Sequence, residues 1–521
     1  MSFTHWLRNL RSVIAPGWGE RQHRSRSPRR TPAARFRPQL EFLEDRVTPS
    51  TLTVTTALDV FDGGTAANPA GPDKRLSLRE AISAAKSGDQ IKFAHGLNGS
   101  TINLDPGQGE LLVNKNLRIK GLGADNLAIS GQNLSRVFEI EAGATDTISG
   151  LTIENGIVGS AFGGGIHNDG TLTLRSTILS GNYAGSGGGG IYNGNGGKLT
   201  VTGGDQSDDS NDNGRQQCDN DDHDDDHDDG GGSSTVSGNF AGFDGLGYGG
   251  GIYNDGTMTL SATTLSGNSA GHTGGGIYNV GTLIISSSTL SGNTSFYAGG
   301  GIANLGTLTV SGSTISDNSN RNLGSAGNVG GGIVNEGTLT LSGSTVSANS
   351  AYRGGGIFNS YGTLTIRDST LFGNSATYVG GGIENFGTLT VRGTSVSGNS
   401  ATYGGAIFNN LTATVSVRGS TLSGNTANYG GAIYNYQGIV TLSSSTVTGN
   451  SATTAGGGIY NISIGTQGSV TVTNFSTIWG NTAPVGFGAD VFNDTTYGGS
   501  VLYLDVSSMI GILDGTPAVA I

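Results

Sequence analysis

The 521-residue sequence predicts an all-β protein, a single-stranded right-handed parallel β-helix, on three observations. A Gly-Gly-(Gly/Ala)-Ile-x-Asn motif recurs with its Asn at 168, 193, 254, 279, 304, 335, 359, 385, 409, 435 and 461, a repeat of about 25 residues. Runs such as Thr338-Leu339-Thr340-Leu341 alternate apolar and polar residues with the period of a strand. The segments between them are Ser, Thr, Gly and Asn, which turn readily and make poor helices. Each repeat thus offers three short strands, too short to bury a core alone. Winding them into a coil turns Leu and Ile inward, and stacking the coils pairs each backbone group with the coils above and below. A leucine-rich repeat needs more Leu and often a helical return, and a propeller blade needs roughly 40 residues, so neither fits.

The elements follow in order. Residues 1–48 are rich in Arg and Pro, carry too little apolar content to pack, and are expected to form a disordered leader. Residues 49–150 hold the N-terminal cap and the first coils. The cap is a helical pattern at about 76–87, with Leu78, Ala81, Ile82 and Ala85 on one face, suited to covering the open strand edges of the first coil. Arg79 and Glu80 then belong to the cap and not to a catalytic site. Residues 151–510 are the repetitive β-helix, with an acidic, disordered insert at 203–233 that explains the gap between Asn193 and Asn254. Residues 511–521 are a short tail. Asn suits the bends because it tolerates left-handed backbone, and stacked Asn side chains would form ladders from coil to coil.

Charged residues are 13% of the chain, against roughly a quarter in average domains. Of the net charge of −12, residues 203–232 supply −11, from twelve Asp and one Arg. Residues 1–46 go the other way, with ten Arg and four acids. The coiled body has no basic stripe of the kind nucleic acid requires, so nucleic acid is not an expected partner. Cys218 is the single cysteine, which excludes a disulfide within one chain. No apolar run is long enough to span a membrane. The N-terminus lacks the apolar core of a secretory signal, and Arg29-Arg30 precede Thr31-Pro32, not an apolar segment.

Two outward stripes are candidate binding surfaces. Arg367, Arg392 and Arg418 end equivalent strands of successive coils and are expected to stack about 4.8 Å apart, with Ser342 and Ser443 at the same place on either side. Such a row suits an acidic polysaccharide; the plainer alternative is a solvated stripe compensated by Asp368. Tyr192, Tyr253, Tyr278, Phe358, Phe408, Tyr434 and Tyr460 stand between the inward Ile and the Asn. Alternation puts these rings outside, where Tyr434 and Tyr460 would meet sugar faces or a surface protein, or simply stack on each other. Ala303, Val334 and Glu384 interrupt that stripe.

The insert holds Asp221, Asp222, His223, Asp224, Asp225, Asp226, His227, Asp228 and Asp229, a set that would gather hard cations such as calcium. It lacks the spaced turn glycine of a fixed site, so composition favours a loop that condenses cations weakly, and no other cofactor is expected. A glycosidase would need two carboxyls roughly 5–10 Å apart. Glu336, Asp368 and Glu384 fall on different strands or coils, so no catalytic constellation emerges.

Two segments carry resemblances. Leu76-Ser77-Leu78-Arg79-Glu80-Ala81-Ile82, followed by Gly88-Asp89-Gln90-Ile91-Lys92-Phe93, resembles the CSLREA-type opening of bacterial surface β-helix proteins, with Leu76 in place of the Cys. Gly404-Gly405-Ala406-Ile407 and Gly430-Gly431-Ala432-Ile433 resemble the repeats of polymorphic outer membrane proteins. Residues 38–46 resemble a leader found before many large bacterial surface proteins. The resemblances imply a pectin lyase-like solenoid at the cell surface or outside the cell, with a role in adhesion or glycan contact. Autotransported members of that family end in a membrane barrel. No such alternating stretch follows residue 510, so export is expected to take another route. The alternatives are a polysaccharide lyase, hydrolase or epimerase working on the outer face, and an intracellular structural protein.

Overall fold

In the computed structural model the described residues are 49–63, 69–204, 232–243, 246–321, 327–464, 468–515 and 519–520. The chain divides between Thr48 and Pro49, and the leader at 1–48 lies outside the described residues. Residues 49 onward wind as a right-handed parallel β-solenoid whose strands all pair with the equivalent strands one coil away.

One coil shows the plan. Thr338–Ser342 lies in a first sheet, Thr345–Ser347 in a second, Ser350–Arg353 in a third and Ile357–Asn359 in a fourth. The first sheet has 17 strands and the second and fourth have 15 each. The third is a narrower ribbon of eight strands followed by a pair of two. It is absent from the three-strand expectation because its members, such as Ser269–Ala270, are as short as two residues and carry no alternation.

Leu339, Leu341, Val346, Ala351 and Ile357 point inward and are at most 1% exposed, so each coil adds one apolar layer to a continuous core. Burying each larger side chain contributes about 1.5–3 kcal/mol. The motif glycines follow from the same stacking. Gly430 has φ +64°, a conformation that only glycine adopts freely. At Gly431 a Cβ would stand 2.2 Å from the Gly457 carbonyl oxygen of the next coil. The third position is also close, a Cβ at Gly382 standing 2.6 Å from the Ala406 carbonyl oxygen, yet Ala406 and Ala432 occupy it fully buried.

Three polar ladders run along the axis. Asn385 Nδ2 donates to Asn409 Oδ1 at 3.0 Å, Asn409 to Asn435 at 2.9 Å and Asn435 to Asn461 at 2.8 Å. A second Asn column passes through Asn399, Asn425, Asn450 and Asn481, and each backbone N–H also donates to the next side chain. It ends on Asp490, whose Oδ1 accepts from Asn481 Nδ2 at 2.8 Å. The third column is of hydroxyls: the Ser344 N–H donates to Ser369 Oγ at 3.1 Å and the Thr394 N–H to Ser420 Oγ at 3.1 Å. Buried amides and corner backbone are thereby paired coil to coil, as buried polar groups must be.

The helix α1, Leu78–Ala84, begins with a reciprocal capping box. Ser77 Oγ accepts from the Glu80 N–H, and Glu80 Oε2 accepts from the Ser77 N–H at 3.0 Å. Leu78, Ala81, Ile82 and Ala85 are buried in the same core as the first strand, Thr51–Val54. Arg79 grips Asp59 with two bonds of 2.9 and 2.7 Å and donates to the Gly109 and Glu110 carbonyls. The SLREA segment therefore builds the cap. At the other end pairing continues past residue 510: Leu513–Gly515 and Val519–Ala520, within the expected tail, join the fourth and first sheets.

Candidate functional site

The first-sheet strands Thr363–Arg367, Thr388–Arg392 and Thr414–Arg418 each end one residue before a tight corner, and the corner residue is left-handed: φ is +49° at Asp368, +58° at Gly393 and +54° at Gly419. Repetition of that corner fixes the register of the residue before it. Arg367, Arg392 and Arg418 are direct neighbours on consecutive strands, bounded by Ser342 and Ser443 as the spacing predicts. Their carbonyls are held by Ser369 Oγ at 2.7 Å, Thr394 Oγ1 at 2.9 Å and Ser420 Oγ at 2.8 Å. Their side chains are exposed, and none forms an ion pair with a carboxylate among the described residues. Asp368 shares a shallow depression of about 350 Å³ with Arg392, Arg418, Ser443 and Ser444, without pairing to them.

The aromatic stripe forms the ring-on-ring stack of the plainer expectation, but part of it is more deeply covered than alternation predicts. In the fourth sheet His167, Tyr192, Tyr253 and Tyr278 are in register, then Ala303 and Val334, then Phe358, Glu384, Phe408, Tyr434, Tyr460 and Phe492. The rings leave the coil on its outer side, yet Phe408, Tyr434 and Tyr460 are buried, 7–8% exposed. Phe408 stacks on Tyr434 at 5.2 Å and Tyr434 on Tyr460 at 5.1 Å, nearly parallel. A second row, Tyr403 and Tyr429 from the third sheet, packs edge-on against Tyr434 and Tyr460 at 5.3 and 5.4 Å. The open faces expected at Tyr434 and Tyr460 are thus covered by neighbouring rings. Burial raises both hydroxyl pKa values, and Tyr460 donates to Asp494 Oδ2 at 2.6 Å. The covering row has its own signal in the sequence, a Tyr before the glycines in Ala-Thr-Tyr-Gly-Gly and Ala-Asn-Tyr-Gly-Gly.

Glu384 stands where the column would have a ring, and it is completely buried. Arg353 from the third sheet holds it with Nε to Oε2 at 3.1 Å and Nη2 to Oε1. The guanidinium also lies over the rings of Phe358 and Phe386, 5.5 and 5.3 Å from their centroids. Burial pushes the Glu384 carboxyl up to about 7 against the opposing pull of Arg353. Beside this pair, between the third and fourth sheets, is a cavity of about 360 Å³. Its walls also include Tyr378, Tyr403, Phe408 and Asn410, with Tyr434 and Tyr436 beside them.

The structure does not bring the three carboxylates of the enzymatic alternative together. Glu336 is exposed at the corner after a fourth-sheet strand, Asp368 at the corner after a first-sheet strand, and Glu384 is sealed by Arg353. Asp221 through Asp229, with His223 and His227, lie outside the described residues. The insert departs and returns side by side, with the Gly204 N–H donating to the Gly232 carbonyl at 2.9 Å. Among the described residues no group of three or more His, Cys, Asp or Glu is placed to hold a metal ion, and no helix is long and apolar enough to cross a membrane.

Fold and surfaces together define a parallel β-solenoid with a capped N-terminal end and two chemically distinct outer surfaces. Residues 419–436 match the Chlamydia polymorphic membrane protein repeat, so the chain carries that repeat. No curated protein matches. Among solved structures, the chain is similar to the Dettilon tailspike protein, at 13% identity over 82% of this chain and 63% of that one, with a TM-score of 0.25. The chain thus spans less than two thirds of the tailspike's length. It is also similar to the PL6 family alginate lyase AlyGC, at 12% identity over 90% of this chain and 99% of that one, with a TM-score of 0.17.

Proposed function

We propose that this protein is a non-catalytic β-helix scaffold displayed at the cell surface or exported, which binds acidic polysaccharide along the row Arg367, Arg392 and Arg418. The repeat shared with polymorphic membrane proteins supports the surface location. The observation that carries the binding is the row itself: three in-register guanidinium groups, exposed and without a carboxylate partner among the described residues. Adjacent coils set the strands that carry them about 4.8 Å apart, close to the advance of a polysaccharide per sugar ring. A chain of uronic acids laid along the axis would set one carboxylate against each arginine, relieving the repulsion among like charges and adding charge-assisted, bidentate hydrogen bonds.

The test is affinity electrophoresis of the full chain through gels containing neutral or acidic polysaccharides, with chromatography of the same mixtures for shortened chains. Retention is expected in polyuronate gels, weakening with salt and unchanged by calcium chelation, because the arginines supply the positive charge directly. Replacing all three arginines by Ser abolishes it. Undiminished retention of that variant refutes the assignment, and shortened or unsaturated products replace the scaffold by the enzymatic alternative.

A further inference from the structure

The aromatic architecture is interrupted at one coil, and both of its rows break together. In the fourth sheet Glu384 replaces a ring, so Phe408 stacks on Tyr434 on one side and, among the described residues, on no ring on the other. In the third sheet Tyr403 lies flat on Tyr429, 5.4 Å away and 8° from parallel, but meets Tyr378 edge-on at 78°. The two breaks share the cavity of about 360 Å³ beside Arg353 and Glu384, a size within the range of small-molecule sites.

The geometry points to this cavity as a binding site for one pyranose ring of a neutral sugar. Phe408 and Tyr378 offer apolar ring surface to the C–H face of a sugar, and Tyr378 is 44% exposed at the edge. The polar groups suit hydroxyls. Two of the three guanidinium nitrogens of Arg353 are taken by Glu384, and Nη1 has no protein partner among the described residues. The Asn410 amide and the Tyr436 hydroxyl are likewise unpartnered within the described protein, and together these groups supply both donors and acceptors.

Charge selects the class of ligand. Where Glu384 is ionised it balances Arg353, and the cavity then offers directed donors with no net charge, which favours a hydroxyl-rich neutral ring over a uronate. Glu384 is a positioning residue: with Phe358 and Phe386 it fixes the plane of the guanidinium before any ligand arrives. The site lies between the third and fourth sheets, whereas the arginine row ends the first, so this inference does not rest on the proposed binding of acidic polysaccharide.

The experiment titrates the full chain with glucose, galactose, mannose and their neutral hexasaccharides by calorimetry, with saturation-transfer NMR to identify the ring protons in contact. Saturable binding of at least one series is expected. Tyr378→Ala, at an exposed position, weakens it about tenfold, in line with the loss of one stacking contact. Asn410→Ala weakens it too, while Tyr361→Ala, on a ring outside the cavity, leaves it unchanged. The Arg367/Arg392/Arg418 triple variant retains neutral-sugar binding in full. The assignment is overturned if no neutral probe binds, if Tyr378→Ala and Asn410→Ala bind as the parent does, or if binding disappears in the triple arginine variant instead.

Discussion

Four arginines on neighbouring coils live under opposite conditions. Arg353 is 24% exposed at its side chain, clamped by a buried carboxylate and laid over two rings. Arg367, Arg392 and Arg418 end the first-sheet strands in solvent, one above another, with nothing charged holding them among the described residues. Where this fold uses an arginine for structure it pairs the charge, engages two of the three guanidinium nitrogens and gives the side chain apolar cover. The open row has none of these. A solenoid repeats its own errors, so a row of like charges is costly in every coil that carries it, and three consecutive coils carry it. That contrast separates an arginine that builds the wall from arginines left open for the proposed ligand.

The contrast breaks most visibly at the clamp. Arg353→Ala leaves Glu384 buried without its cation and is expected to lower stability by about 3–5 kcal/mol, read as a fall in the urea midpoint. Exchanging both partners for apolar residues, Arg353→Met with Glu384→Leu, is expected to recover most of that loss, because no charge is then left to desolvate. If the single and double variants lose stability equally, the pair matters through packing and not through charge.

An ionisable group of a third kind sharpens the comparison, because it is buried with no cation partner among the described residues. Asp146 takes an inward place on the first sheet, in register with the core residue Leu172, and is 3% exposed. Its Oδ1 accepts from the Leu117 N–H at 2.7 Å, and its Oδ2 has no partner. Burial pushes its carboxyl from 3.8 up to about 7. The native state therefore holds the proton more tightly than the unfolded chain. Stability from this group is complete below about pH 4 and is lost as the pH rises toward 7. Asp146→Asn is expected to flatten that slope, an effect on the order of 1–3 kcal/mol between pH 4 and 8, in urea melts across pH. An unchanged slope would place the titration elsewhere.

What could be read in the sequence follows the range of the contacts involved. Within one coil most features were visible: the Leu and Thr alternation, the bend Asn residues and the capping face of α1, but not the short third strand. Contacts between equivalent positions were visible too, because a fixed period converts spacing into register, and so Arg367, Arg392 and Arg418 fall where arithmetic puts them. Contacts between unlike positions of different coils were hidden. Arg353 meets Glu384 across 31 residues and two sheets, and Tyr403 covers Tyr434 in the same way. Periodicity says nothing about the angle between the third and fourth sheets, and the third sheet is too short to announce itself. Hence Glu384 reads as a gap in a stripe until its partner is in view, and Tyr434 and Tyr460 read as exposed.

The smallest expected effect is the most discriminating. Replacing Arg367, Arg392 and Arg418 by Ser copies the residues that the flanking coils carry at Ser342 and Ser443, so the corner geometry is preserved. A row that faces a ligand contributes nothing to folding. The triple variant should keep the stability of the parent within about 0.5 kcal/mol, as is usual for surface substitutions. Any change should be a gain at low ionic strength, since three like charges repel, and it should fade as added salt shortens the screening length to about 10 Å at 0.1 M. Urea melts at low and moderate salt measure both the size and the sign. A loss above about 1 kcal/mol would mean that the guanidinium groups hold the wall as Arg353 does, and the distinction between the two kinds of arginine would fail.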